Sequence, residues 1–525
     1  MAEMSKECWK LYIKIHDLWK MGRFQEADNA MGTLLDAGGS QVSKAQLLGA
    51  YIKRSLEDVL GELAILEKLE ESGCEDEPDL RGTMYSLLGQ AYNTIGRADK
   101  AVESFLQSVE METDWRQRLV EYSNAIFAAA SLPNTDREFW RVLYSGYDAL
   151  LAEGDLGTVP EKRWNHHRIR VGYLSSDYQQ HPVSSLLWPL VDKVNDKEFQ
   201  IFCYCGNKGE DSVTKAFRDK ADVWRQVYGW SHEKIARQIY IDEIDILVDL
   251  GGHTSNNMLP VLAYRPARVQ MSAIGWVGST GMKTVDYVLG DQYCCTSERQ
   301  EAYVERLLAI KGSHFCFHLF KNMPEVTETP WKKNGFVTFG CFNNFSKVTD
   351  DMLRLWGEIL NKVPKSRLLL KHKLFDNESG REYMGKRLEK CGISPERVEL
   401  RPFSQDYLKQ YGDMDIALDT FPYTGGMTTF EAMYMGVPVV SLYGDSRGQR
   451  FGYSMLMNVG LGDMAADNAG DYVDIASALG NNPEIISDLR FQLRDMVKAS
   501  PLMDEEGYAA QVETMYCRIL KEKNS

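Results

Sequence analysis

Over residues 1–160, apolar side chains recur every three to four positions and almost never alternate, which predicts helices and little else. The clearest stretch is 84–111, where Leu88, Gly89, Tyr92, Ala101 and Phe105 keep a helical period and Gly96-Arg97 divides two halves. Its L-G-x-x-Y followed by A-x-x-x-F matches the tetratricopeptide pattern. Gly22-Arg23-Phe24-Gln25-Glu26-Ala27 repeats the turn and alanine upstream, and Leu48-Gly49 with Ile52 and Ile65 forms a weaker middle copy. Three copies are enough for a stacked solenoid. From Asn165 onward the pattern changes to short apolar runs separated by helical segments. The first series of expected strands is 166–174, 199–204, 244–250, 269–274 and 285–289. The second is 337–341, Arg367–Lys371, 398–400, Ile416–Leu418 and 437–442. Strands alternating with helices predict parallel βαβ units. Two facing Rossmann-like domains are therefore expected, at 161–321 and 335–525, joined by a Pro-, Glu-, Thr- and Lys-rich linker at 322–334. An amphipathic segment at 507–521 should close the second domain. Ligands of such sheets sit beyond the strand C-termini.

Charge narrows the choice of partners. The 525 residues carry a formal net charge of −15, the opposite of the basic excess that marks bulk nucleic-acid binding. The acidity is concentrated in residues 1–160, which hold 27 Asp and Glu against 16 Lys and Arg. A basic or neutral protein segment should meet those repeats more readily than an acidic one. No run of 18 apolar residues occurs, so no membrane-spanning helix is expected. The charged start lacks the apolar core of a signal peptide. Ten cysteines form no C-x-x-C pair, and neither Cys203/Cys205 nor Cys294/Cys295 has a matching His/Cys cluster in sequence. Reduced thiols in a cytoplasmic protein without zinc are the expectation.

The strongest local chemistry is in the run from Asp419 to Glu431. The strand Ile416–Leu418 feeds a turn containing Gly425 and Gly426, and Thr428 and Thr429 then open a helix. Exposed N–H groups and hydroxyls at a helix start suit a phosphate. Glu431, one turn in, can accept hydrogen bonds from vicinal sugar hydroxyls. His181 follows the first strand of the first series and points an imidazole toward the cleft, where it could serve as a general base. His253 follows a later strand, and Gly278-Ser279-Thr280-Gly281 is a turn whose backbone could approach a sugar or acceptor. Asp413-Met414-Asp415 resembles a metal-binding D-x-D, but it leads directly into a strand and is expected to be structural.

Glu431-Ala432-Met433-Tyr434-Met435-Gly436-Val437-Pro438 resembles the E-x-x-x-x-G-x-P element of nucleotide-sugar transferases with two facing Rossmann-like domains. The longer string from Asp419 to Pro438 is similar to the protein O-linked N-acetylglucosamine transferase family, especially its SPINDLY-type branch. So are Arg170-Val171-Gly172-Tyr173-Leu174-Ser175-Ser176-Asp177 with His181-Pro182, the block from Gly252 to Asn257, Arg265-Pro266-Ala267, the block from Gly278 to Gly281, and Phe342-Asn343-Asn344-Phe345-Ser346-Lys347. The blocks occur in order, with the repeats on the expected side.

The resemblance implies an inverting, metal-independent transfer, without a cofactor, of a sugar from a nucleotide diphosphate to Ser or Thr of a protein. It implies donor binding by Asn344, Lys347, Tyr407, Gly426, Thr428, Thr429, Glu431 and Arg450. His181 and Lys347 would be catalytic, and His253, Gly278, Ser279 and Thr280 would lie on the acceptor side. Tyr407 stands where the family has a base-stacking His, and Gly426-Met427 stands where its N-acetylglucosamine enzymes carry His ahead of the Thr-Thr pair. Ser185 stands where a second His would follow His181. These departures lean toward the SPINDLY-type branch, which uses a fucose donor in plants. UDP-N-acetylglucosamine is the first expectation for the donor and GDP-fucose the second. Transfer of glucose to Asn, or a repeat scaffold with a decayed transferase half, are the rival readings. The acceptor, bound through the repeats, would be a protein such as flagellin or another surface protein.

Overall fold

The computed structural model describes residues 5–38, 42–74, 77–154, 156–157 and 166–524. The expected start of the first Rossmann-like domain, at 161–165, lies outside the described residues. The chain opens with α1 (Lys6–Lys20), α2 (Phe24–Asp36), α3 (Ser43–Ser55), α4 (Val59–Ser72), α5 (Arg81–Thr94), α6 (Ala98–Met111), α7 (Trp115–Ala129) and α8 (Arg137–Glu153). Successive helices pair through short turns, as the repeat pattern predicts. Cys8, Ile15, Ala27, Leu34, Ala45, Leu48 and Ile52 form the core of the first pairs. In the best-matching repeat, a Cβ on Gly89 would sit 2.6 Å from the Phe105 ring, so only glycine lets α6 lie this close to α5.

Two parallel sheets follow. The first contains β1 (Ile169–Ser175), β2 (Phe199–Cys205), β3 (Val223–Gln226), β4 (Ile246–Asp249), β5 (Val269–Ser272), β6 (Tyr287–Asp291) and β7 (Arg306–Ile310), in the order β3-β2-β1-β4-β5-β6-β7. Between its strands run α9 (Pro182–Asp192), α10 (Ser212–Lys220), α11 (His232–Ile241) and α12 (Pro260–Ala263). The short α13 (Trp331–Asn334) falls within the expected linker. The second sheet contains β8 (Thr338–Cys341), β9 (Arg367–Lys371), β10 (Val398–Arg401), β11 (Ile416–Leu418), β12 (Val439–Leu442) and β13 (Ala465–Ala466), in the order β10-β9-β8-β11-β12-β13. Its helices are α14 (Asp350–Lys362), α15 (Glu378–Lys390), α16 (Met427–Tyr434), α17 (Phe451–Val459), α18 (Ala469–Asn481) and α19 (Pro483–Lys498). The last helix is α20 (Glu505–Asn524). In both sheets the order reverses beside the first strand, between β1 and β4 and between β8 and β11. That is the point where doubly wound sheets open a ligand crevice.

The compact units do not follow chain order. One consists of Met1–Leu132, Asn344–Leu353 and Leu370–Ser404, and the other of Pro133–Asn343, Arg354–Leu369 and Gln405–Ser525. Within the first, the Gly96 turn (φ +76°) meets the turn after β8. A Cβ on Gly96 would lie 2.9 Å from the Phe345 carbonyl oxygen. Arg387 clamps the same place, donating to the carbonyls of Ile95 (3.1 Å) and Val348 (2.7 Å). Within the second, α8 packs on the first sheet although its sequence reads as part of the repeats, with Tyr147 edge-on to His253 at 4.8 Å. The closing helix α20 also departs from expectation. It packs on the first sheet rather than the second, with Tyr516 Oη 3.3 Å from Tyr173 Oη and Glu513 accepting the Asn195 N–H at 2.7 Å.

Candidate active site

Within the second unit, the loops after β1 and before α13 and the segment around α16 enclose a cleft of about 640 Å³. Its lining includes His181, His318, Lys321, Tyr407, Met427 and Glu431. His181 reaches it as the N-cap of α9, where its Nδ1 accepts the Val183 N–H at 3.3 Å. Glu431 is buried one turn into α16. Its carboxylate accepts from Tyr407 Oη at 2.6 Å and from Tyr411 Oη at 3.2 Å. Burial pushes the Glu431 carboxyl up to about 7, against the opposing pull of the two tyrosines and of Lys321.

That shift has a measurable consequence. Between the unfolded carboxyl value near 4.3 and about 7, the native protein binds more protons than the unfolded chain, so stability falls as pH rises through this window. Glu431→Gln removes the titration and keeps an acceptor for a tyrosine. The melting temperature of the wild type should therefore fall relative to Glu431→Gln between about pH 5 and about pH 8, as read by differential scanning fluorimetry. Parallel pH curves would refute the assignment.

The turn that leads into α16 is organised by Asp419, a buried residue that the sequence reading passed over. Its Oδ1 accepts from Gly425 N at 2.7 Å and Asn343 Nδ2 at 3.1 Å, and its Oδ2 from Ser441 Oγ at 2.7 Å. Thr428 donates to Asn343 Oδ1, and Thr429 is buried beside Gly425. Thr428, Thr429, Asn343 and Asp419 line a second, smaller cavity of about 260 Å³. Gly426 is the N-cap of α16, makes no side-chain cap, and has open space where a Cβ would stand. Asn344 and Lys347 belong to the first unit. There exposed Asn344 caps the 3-10 turn Phe345–Lys347, accepting the Ser346 N–H at 3.1 Å, and half-buried Lys347 ends it.

Several predicted residues are packing groups. Arg450 is buried, donates to the carbonyls of Tyr293 (2.6 Å) and Gly444 (2.8 Å), and stacks on Tyr443 and Tyr453. It joins the loops after β6 and β12. His253 is 1% exposed between Tyr147 and Trp276, donates from Nε2 to the Thr280 carbonyl at 2.9 Å, and is pushed down to about 3 by burial. It stays neutral in this enclosed packing. Ser279 and Thr280 are enclosed and bound to the Glu305 carboxylate, at 2.5 Å from Ser279 Oγ and 2.6 Å from Thr280 N. A Cβ on Gly278 would lie 2.6 Å from Tyr144 Oη, so this turn packs closely on α8.

His318 and Lys321 are cleft residues that the sequence reading missed, since they lie beside the expected linker. The fold also brings His314 beside Asp291 and Cys294, a cluster that sequence spacing did not reveal. His314 Nδ1 lies 2.6 Å from Asp291 Oδ2. Asp291 further accepts from Ser454 Oγ (2.6 Å) and from the N–H groups of Tyr293, Cys294 and His314. With its oxygens so fully engaged, the carboxylate is a buried hub rather than a vacant ligand. Among the described residues, no helix is long and apolar enough to cross a membrane.

A family model described as Glycosyl transferase family 41 matches residues 156–334 and 330–512. A probable UDP-N-acetylglucosamine–peptide N-acetylglucosaminyltransferase SPINDLY of Arabidopsis thaliana is 38% identical over 360 residues, covering 67% of this chain and 39% of that protein. Its counterpart in Solanum lycopersicum is 37% identical over 369 residues, covering 69% and 39%. The chain thus spans about two-fifths of the length of these relatives. Among solved structures, a mutant of the Thermobaculum terrenum O-GlcNAc transferase is similar with a TM-score of 0.86 and 27% identity, covering 100% of this chain and 99% of that one.

Proposed function

Because the chain belongs to glycosyl transferase family 41, we propose that it transfers a sugar from a nucleotide diphosphate to a Ser or Thr hydroxyl of a protein, with UDP-N-acetylglucosamine as the donor. The activities for which its SPINDLY and O-GlcNAc transferase relatives are named support that donor and a peptide acceptor. The observation that carries the reading is the cleft itself, where His181 from the first sheet's loops shares a lining with Tyr407, Met427 and Glu431 from the second's. Tyr407 offers an aromatic face to a nucleobase, and the buried Glu431 offers oxygens to sugar hydroxyls. The unencumbered start of α16 at Gly426 suits the diphosphate, and the family resemblance of the block from Phe342 to Lys347 proposes Lys347 as a donor-binding cation. Attack of the hydroxyl on the anomeric carbon in one displacement inverts it, and neither metal nor cofactor takes part. The acidic repeats present the acceptor, for which flagellin or another surface protein is a candidate, and the reaction takes place in the cytoplasm.

A panel of UDP-N-acetylglucosamine, UDP-glucose and GDP-fucose, scored by thermal shift and release of nucleoside diphosphate, tests the reading. UDP-N-acetylglucosamine should give the largest shift and the fastest release. A preference for GDP-fucose would reassign the sugar, and no response to any of the three would leave only a repeat scaffold.

A further inference from the structure

The two histidines of the cleft are held in opposite tautomers by their partners. His181 accepts the Val183 N–H through Nδ1, and a neutral imidazole that accepts at Nδ1 carries its proton on Nε2. Asp177 Oδ1, the carboxylate oxygen near that nitrogen, is 3.6 Å away, too far for a hydrogen bond. His181 therefore presents a donor to the cleft. His318 is the reverse. Its Nδ1 lies 2.8 Å from Glu505 Oε1, and a carboxylate only accepts, so Nδ1 carries the proton and Nε2 keeps its lone pair.

The His318 ring is packed against two aromatic rings, and its backbone is tied down. Trp188 lies 5.5 Å and Phe320 4.6 Å from its centroid, and its backbone N–H donates to the Ser185 carbonyl at 2.9 Å. The side chain keeps 28% exposure and lines the cleft, and no described protein group bonds to Nε2. A carboxylate on one imidazole nitrogen and an open lone pair on the other is the arrangement that activates a hydroxyl nucleophile.

We propose that His318, oriented by Glu505, is the general base of this cleft, and that His181 only donates a hydrogen bond there. The assignment rests on the glycosyl-transfer reading. The acceptor oxygen forms its bond to the anomeric carbon while the bond from that carbon to the diphosphate oxygen breaks. The electron pair leaves with the diphosphate. The hydroxyl proton passes to His318 Nε2 and then to solvent, which restores the neutral ring. Glu505 is a positioning residue, since it touches the imidazole and not the substrate.

The test compares the wild type, His318→Ala and Glu505→Gln in steady-state transfer from labelled donor to a Ser/Thr peptide, with and without added imidazole. His318→Ala should lose about 100-fold or more in turnover, keep its melting temperature, and regain part of the loss with imidazole. Glu505→Gln should lose about tenfold in turnover with both KM values unchanged. His318→Ala within about threefold of the wild type, or insensitive to imidazole, overturns the assignment. If His318→Ala does not fold, Glu505→Gln decides: wild-type turnover there overturns it as well. A wild type that transfers no sugar condemns the glycosyltransferase reading instead, which keeps the two failures apart.

Discussion

Lys347→Ala should cut the turnover of sugar transfer by about 100- to 1,000-fold, equivalent to about 2.7–4 kcal/mol of transition-state stabilisation. The departing diphosphate gains negative charge as the glycosidic bond breaks, and a fixed ammonium matters most at that moment. The turn that carries Lys347 is built to hold it still. Asn344 caps the turn, its carbonyl accepts the Lys347 N–H at 3.0 Å, and Phe345 is buried with His372 at 5.4 Å and Phe375 at 5.6 Å. The diphosphate is already charged in the ground state, so the donor KM should rise too. Lys347→Arg keeps the charge but changes its shape and hydration, so it should recover only part of the rate. Initial rates with labelled donor give both constants, and unchanged transfer by Lys347→Ala would remove this residue from the catalytic account.

Asp291→Ala should be the most destabilising of the buried polar substitutions, by about 3–5 kcal/mol. It strands His314 Nδ1, Ser454 Oγ and three backbone N–H groups at a site from which water is excluded. The His314 imidazole and the converging donors hold the Asp291 carboxyl well below the usual carboxylate range, despite burial. Burial pushes the His314 imidazole below its usual range, against the opposing pull of Asp291. A carboxyl depressed in the native state contributes stability above its unfolded value near 3.9, and the contribution is lost as pH falls through the native value. The difference between the wild type and Asp291→Ala should therefore be constant across neutral pH and shrink only in strong acid. Thermal or chemical melts of the two proteins check this, and equal stability at pH 7 would contradict the hub.

What the sequence made legible was set by periodicity and by position along a strand. The helix pair around Gly96 follows from local apolar spacing, and Arg367–Lys371 and Ile416–Leu418 occur as strands over the residues expected. Three strands went unread. Val223–Gln226 lies at a sheet edge and is mostly half-buried, Arg306–Ile310 lies at the other edge of the same sheet, and Ala465–Ala466 is two residues long. Val223–Gln226 lacks the continuous apolar run of a central parallel strand, whereas 307–310 carries such a run only four residues long. His181 and Glu431 were readable because each follows a strand that ends at a crevice. His318 was not, because its Glu505 partner is 187 residues away. The packing role of Arg450 was hidden in the same way: its carbonyl partner at Tyr293 is 157 residues distant and leaves no trace in local spacing.

The central claim is transfer of a sugar to a protein hydroxyl, and the most direct measurement is the intact mass of a basic Ser/Thr-rich peptide set after incubation with the purified chain and UDP-N-acetylglucosamine. The account predicts a gain of one N-acetylhexosamine on Ser or Thr with the wild type and none above background with Lys347→Ala. No gain with that donor or with GDP-fucose, from a folded wild-type protein, would contradict it.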